Sequence, residues 1–176
     1  MTLNTYKHEH KGVEEINWSR LGDLVKEFAE KIRREYEPEV VVGIAKGGVI
    51  PAVFLSSAFL VDFFPIKLSS RNNEQVVHNE PVWYILPTEA IKDRRVLLVD
   101  DIIVSGRTFR MACEKLVDVG AKEIRTASLT AHKDSFSVDF VGLVTDAMII
   151  FPWDREVIDE CGKWSINSEY NQGMET

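Results

Sequence analysis

Cysteine is scarce in this 176-residue chain: there are two, Cys113 and Cys161, far apart and in no metal-ligand spacing. They leave no disulfide framework or zinc motif to consider and read as reduced thiols of a cytoplasmic protein. Positive charge is in deficit, with 21 Lys and Arg against 28 Asp and Glu, for a formal net charge of −7. That balance argues against a sequence-independent grip on nucleic acid, which needs cations to meet phosphates. No apolar run is long enough to span a bilayer. The opening "MTLNTYKHEHKGVEE" has no apolar signal core, so neither membrane insertion nor secretion is expected. His8 and His10 could hold a metal weakly, but a solvated start is the simpler reading. Internal repeats, low-complexity tracts and a second domain are also missing. One domain spanning 1–176 is expected, with 1–15 and 165–176 as loose termini.

What is there is ordinary in bulk, 45% apolar and 28% charged, and ordered along the chain. Trp18, Leu21, Val25, Phe28 and Ile32 recur at helical steps and predict an amphipathic helix from about 18 to 36, stopped before Pro38. "EVVVGIA" (39–45) predicts a strand buried on both faces. "VIPAVFLSSAFL" follows as a buried helix with Pro51 in its first turn. "VDFFPIKL" (61–68) predicts a strand in which Pro65 marks an edge or a bulge. The polar stretch 69–80 carries no period and predicts a mobile loop, and "PVWYILP" (81–87) a short strand. "RRVLLVDD" predicts a central strand, and "RTFRMACEKLVDVG" a helix with Phe109, Cys113, Leu116 and Val117 on its apolar face. "EIRTASLTA" and "FVGLVTDAMIIF" supply further strands. The alternation implies an α/β fold, a mostly parallel sheet flanked by helices. Ligands of such sheets sit at the carboxyl ends of strands, where 45–48 and 100–108 fall.

The second of those segments, "VLLVDDIIVSGRTF" (96–109), places two adjacent carboxylates at the end of a core strand. Just beyond them, a glycine between small hydroxyl residues enters a helix. That arrangement lets several backbone N–H groups face one anion, with the helix dipole in support. Ser105 and Thr108 can donate hydroxyls and Arg107 adds charge, so Ser105, Gly106, Arg107 and Thr108 make a monophosphate cup. Carboxylates so near would repel a phosphate unless something separates them. A ribose fits the gap, its hydroxyls donating to Asp100 and Asp101 and its 5′-phosphate reaching the cup. A divalent cation would relieve the Asp–Asp repulsion. A merely solvated strand end leaves the hydroxyl–glycine–hydroxyl cluster unexplained. A receiver domain would carry its acidic pair after the first strand.

The same stretch resembles the 5-phosphoribosyl 1-pyrophosphate (PRPP) signature of the type I phosphoribosyltransferases. "GIAKGGVIPA" (43–52) resembles their pyrophosphate loop, with its tight and sometimes cis turn before Gly-Gly. "FPWD" (151–154) resembles the C-terminal segment of bacterial xanthine–guanine and archaeal hypoxanthine-type enzymes. The resemblance covers about residues 18–158 and implies the family's parallel sheet with a small hood over the base. It implies displacement of pyrophosphate from PRPP by a nucleobase, with Mg²⁺ on the sugar diphosphate. In that scheme Ala45, Lys46, Gly47 and Gly48 bind pyrophosphate, and Asp100 and Asp101 hold the ribose. Asp101 reaches the metal, Ser105–Thr108 hold the 5′-phosphate, and 69–80 closes over the reaction. The family's habit also implies a homo-oligomer, a dimer or a tetramer.

The departures concern the base. Purine enzymes of the hypoxanthine–guanine type have an Asp that exchanges a proton with N7; here that position is Val104, which can do no acid–base work. Their stacking aromatic falls near Met148 and Ile149. Their lysine for the 6-oxo group falls at His132 or Lys133. In the closing loop, Ser69 is followed by Ser70-Arg71 where a Ser-Tyr pair is usual; Arg71 either grips pyrophosphate or is simply solvated. Phe151 and Trp153 either offer the base an aromatic surface or pack the C-terminal segment. Asp154 accepts from an exocyclic amine or caps a turn. The expected function is a phosphoribosyltransferase acting on a 6-oxopurine (hypoxanthine, xanthine or guanine). The rivals are a PRPP- or nucleotide-binding regulator without turnover and, more remotely, a hydrolase on a similar sheet.

Overall fold

A computed structural model describes residues 11–69, 71, 72, 75, 76 and 82–168. The chain divides into two compact units, Leu24–Val144 and a smaller one drawn from Met1–Asp23 and Thr145–Thr176.

In the larger unit the strands β2 (Val40–Ile44), β3 (Asp62–Ser69), β6 (Val82–Ile85), β7 (Arg95–Ile103), β8 (Glu123–Ala131) and β9 (Phe140–Val144) form one sheet. Their order is β6-β3-β2-β7-β8-β9, and every neighbouring pair is parallel except β3 with β6. This is the α/β architecture expected from the alternation of patterns. Helix α1 (Trp18–Arg33) begins in the smaller unit, and its Leu24, Val25, Phe28 and Ile32 are buried at helical spacing in the larger one. It stops at Arg33, three residues short of the expected end. Helices α2 (Val49–Phe59) and α3 (Arg107–Asp118) are the β2–β3 and β7–β8 crossovers. Those crossovers run in opposite directions along the sheet, so right-handed connections put the two helices on opposite faces.

All five β2 residues are buried, as a strand covered on both sides requires. Val40, Val42 and Ile44 share a core with Val96, Leu98, Phe109, Ala112 and Leu116. Val117, expected on the apolar face of α3, is instead 63% exposed. It lies one helical step off the Phe109–Ala112–Leu116 stripe, so its side chain turns away from the sheet. Pro65 occurs opposite Gly43 of β2, on a stretch of β3 that β6 does not yet cover, and the β3–β6 register shifts between Lys67 and Leu68. The missing N–H is tolerated there because no partner strand requires it.

The structure corrects one expectation and adds detail to two others. Segment 69–80 is not featureless: Ser69 closes β3, and β4 (Arg71–Asn72) pairs antiparallel with β5 (Gln75–Val76). Ser70 lies outside the described residues. The run 140–151 is two strands. Its first half is β9; its second is β10 (Met148–Ile150), which pairs in parallel with β1 (Val13–Glu15) in the smaller unit. Those N-terminal residues were expected to be loose, but Glu14 and Glu15 find a backbone partner in β10, and Arg155 pairs with Glu15. At the other end, Ser165 and Ile166 belong to β12 (Trp164–Ile166), antiparallel to β11 (Glu156–Ile158). The Asp159 carboxylate closes that hairpin by accepting the amides of Cys161 and Lys163, both at 2.9 Å.

Candidate active site

The chain leaves β2 toward one edge of the sheet and β7 toward the other, although the two strands are neighbours. Their following loops therefore part at the carboxyl end, the place where open α/β sheets receive ligands. The loop after β2 is 45–48, and the turn after β7 is 104–106. Loop 45–48 and the acidic pair of β7, more than fifty residues apart in sequence, meet there.

Their contact is close. A Cβ added at Gly47 would lie 1.7 Å from Asp101 Oδ2, and one at Gly48 would lie 2.7 Å from the Cα of Asp100. Only glycine lets the backbone of this loop lie against the acidic pair. The peptide between Ala45 and Lys46 is cis, matching the turn that the family resemblance implies. The Ala45 amide donates to Ile66 of β3 at 2.8 Å, and the Ala52 amide to Gly48 at 3.1 Å. The loop is thus pinned to the sheet on one side and to α2 on the other, with the Lys46 side chain exposed.

Asp100 and Asp101 lie inside β7, which runs on to Ile103, rather than beyond its end. Asp100 Oδ1 accepts the Asp101 amide at 3.0 Å, and Asp101 Oδ1 accepts that of Ile102 at 2.8 Å. Burial, and then the charge of Asp101 beside it, push the Asp100 carboxyl well above the ordinary carboxylate range. The β7–β8 ladder pairs Asp100 with Ser128 and Ile102 with Thr130. The Asp101 carbonyl accepts from the fully buried Thr130 hydroxyl at 2.9 Å.

Gly106 opens α3 at φ +68°, in the left-handed region that favours glycine. The first-turn amides of this 12-residue helix have no partner within the helix and face outward with its positive dipole end. Ser105 and Arg107 are exposed, Thr108 half-buried, and the Arg107 amide lies 3.5 Å from Ser105 Oγ.

Of the residues assigned to the base, Val104, His132 and Lys133 belong to the larger unit. Val104 is half-buried, His132 is buried just past β8, and Lys133 is exposed. Met148, Ile149, Trp153 and Asp154 belong to the smaller unit. There Ile149 is buried in β10, and Trp153 stacks on Phe151 with centroids 4.5 Å apart and planes 7° from parallel. Trp18, expected on the buried face of its helix, is 59% exposed and lies 6.4 Å from the Trp153 ring. The Asp154 amide donates to Phe151 at 3.0 Å.

Two participants escaped the sequence reading. Thr130 sits in a strand where alternation marks it only as an inward side chain. Phe136 sits in a polar loop, yet its amide donates to the Val104 carbonyl at 3.0 Å and its ring lies against Gly106. A lone aromatic among polar residues was the one available signal.

No group of three or more His, Cys, Asp or Glu side chains suited to a metal occurs among the described residues. Two carboxylates still fit magnesium, which keeps several waters and takes substrate phosphates as ligands. A cation bound there would offset the Asp101 repulsion that, after burial, raises the Asp100 carboxyl.

Residues 13–159 match the phosphoribosyl transferase domain model. The fold is that of a purine phosphoribosyltransferase from Pyrococcus horikoshii, with a TM-score of 0.73, 32% identity, and coverage of 84% of this chain and 97% of that one. A hypoxanthine-guanine phosphoribosyltransferase of Aquifex aeolicus is 30% identical over 143 residues, 72% of this chain and 76% of the relative. An orotate phosphoribosyltransferase of Methanocorpusculum labreanum is 28% identical over 102 residues, 56% of this chain. The chain spans 62% and 54% of the lengths of the first curated relatives it matches. With an acidic pair and a glycine loop in contact where the sheet order reverses, and a domain model matched over most of its length, this chain belongs to the phosphoribosyl transferase domain family.

Proposed function

We propose that the protein transfers the 5-phosphoribosyl group of PRPP to a ring nitrogen of a 6-oxopurine, giving a nucleoside 5′-monophosphate and pyrophosphate. The bond from C1′ to the pyrophosphate oxygen breaks, the bond from C1′ to the base nitrogen forms, and positive charge grows on the sugar between. Asp100 and Asp101 hold the ribose hydroxyls at the strand end, and their negative charge favours that cationic sugar. The amides around Ala45–Gly48 and the Lys46 ammonium hold pyrophosphate as it departs. Ser105, Gly106, Arg107 and Thr108 anchor the 5′-phosphate and fix the sugar's orientation. Magnesium on the diphosphate, with Asp101 nearby, would supply charge neutralisation of the leaving group. The base's proton leaves through water, since Val104 cannot take it. The purine reading rests on the purine relatives, and self-association and a cytoplasmic location go with it as family habits.

The observation that carries this reading is the contact of Gly47 and Gly48 with Asp101 and Asp100, which unites a leaving-group loop with a sugar site. The experiment is pyrophosphate release from PRPP and Mg²⁺ with each common base offered singly. Turnover with hypoxanthine, xanthine or guanine is expected; turnover with orotate or adenine alone would sink the 6-oxopurine assignment. Val104 favours one alternative, a regulator that binds PRPP or a nucleotide without turnover. It predicts tight PRPP binding and no pyrophosphate with any base.

A further inference from the structure

Phe136 has no role in the transfer just described, yet its ring lies against the proposed phosphate cup. Gly106 holds φ +68°, and a Cβ built there would fall 2.2 Å from Phe136 Cγ, so the ring occupies the space a side chain would need. The guanidinium of Arg110, in the first turn of α3, stands 5.1 Å from the centroid of the same ring. The backbone joins too: the Phe136 amide donates to the Val104 carbonyl at 3.0 Å, immediately before the cup. One residue thus grips the cup at three points, namely the residue entering it, its left-handed glycine, and the helix turn that follows. The loop it closes begins at His132, whose carbonyl accepts the Ser135 amide at 3.0 Å. Although it carries this contact, Phe136 remains 38% exposed and is no core residue.

We propose that Phe136 is a positioning residue for the 5′-phosphate. Its ring backs Gly106 and so aims the α3 amides, and its backbone clips the His132–Ser135 turn to the cup. Amides preset toward an anion need no reorganisation when it arrives, and the gain appears as binding. A planar ring does this better than an aliphatic side chain, because a cation stacks on a π face and an aliphatic side chain has none.

The inference rests on the proposed PRPP site, and the test separates the two. PRPP binding with Mg²⁺ is measured by calorimetry on the wild type and on Phe136→Ala, Phe136→Leu and Phe136→Tyr, with KM and kcat for the base that the wild type uses. Phe136→Ala should bind PRPP about tenfold more weakly, equivalent to about 1.4 kcal/mol. Its KM for PRPP should rise while kcat changes little. Phe136→Tyr should restore wild-type affinity, and Phe136→Leu, which keeps apolar bulk without the π face, should fall between. A Phe136→Ala that binds PRPP like the wild type overturns the inference alone. So does Phe136→Leu matching Phe136→Tyr, which would reduce the ring to filler. A wild type that binds no PRPP overturns the site itself, and this inference with it.

Discussion

Asp100 is where local stability and ligand binding oppose each other most directly. Its carboxyl is pushed up by burial and by Asp101, so the folded protein binds a proton there more readily than the unfolded chain does. A carboxyl raised in this way makes the apoprotein less stable as pH climbs from the ordinary value of 3.8 toward the raised one, because the charge must be carried unfolded or buried at a cost. Asp100→Asn removes that penalty and keeps an oxygen for the Asp101 amide. The apoprotein variant should melt a few degrees higher than the wild type at neutral pH, with a flatter pH profile, in scanning calorimetry. PRPP affinity should fall at least about tenfold, since a charge-assisted hydrogen bond is worth roughly twice a neutral one. A variant that is less stable than the wild type at neutral pH would show that the pair is not strained without ligand.

Among elements, β7 and β8 decide how the acidic pair is held. The strand expected to end at the aspartates continues through them to Ile103, and β8 runs alongside as far as Ala131. The Thr130 hydroxyl serves the Asp101 carbonyl, so a side chain does work that a regular ladder assigns to the backbone. Thr130→Val keeps the shape and removes the donor, losing a hydrogen bond worth about 1 kcal/mol. The expected result is weaker PRPP binding in calorimetry together with a lower melting temperature, and Thr130→Ser should recover both. Unchanged PRPP affinity in Thr130→Val would confine this threonine to a structural role. Helix α3 shows the same dependence on exact placement: its Phe109–Ala112–Leu116 stripe packs as periodicity implies, while Val117 turns out to solvent.

At the scale of the whole molecule, the reversal of strand order between β2 and β7 explains why two remote segments share one site. A ligand spanning both would tie the β2 loop to the α3 cap and bind the folded state alone. PRPP with Mg²⁺ should therefore raise the melting temperature progressively with concentration, by about 2.7 kcal/mol of stability at a hundredfold excess over Kd. Ribose 5-phosphate, which lacks the pyrophosphate, should raise it less at equal concentration. Equal shifts from the two would mean that loop 45–48 contributes nothing to binding.

Much of this was legible in the amino-acid sequence. Periodicity placed α1 and α3, and continuous apolar runs placed α2 and the central strands, because the burial of apolar side chains follows the geometry of each element. The cup and the acidic pair were legible because their chemistry is local: a helix start, a glycine and two neighbouring carboxylates act within about ten residues. Pairing is not local. That Val13–Glu15 would join Met148–Ile150, that Ser165 would sit in a hairpin, and that 140–151 would split between two units depended on partners distant along the chain. The same holds for the raised Asp100, the Thr130 hydroxyl and the Phe136 ring behind Gly106. Sequence alone determined which groups could bind a ribose phosphate; the tertiary structure decided which backbone loop lies against them and what holds them in place, because burial and contact are properties of neighbours in space.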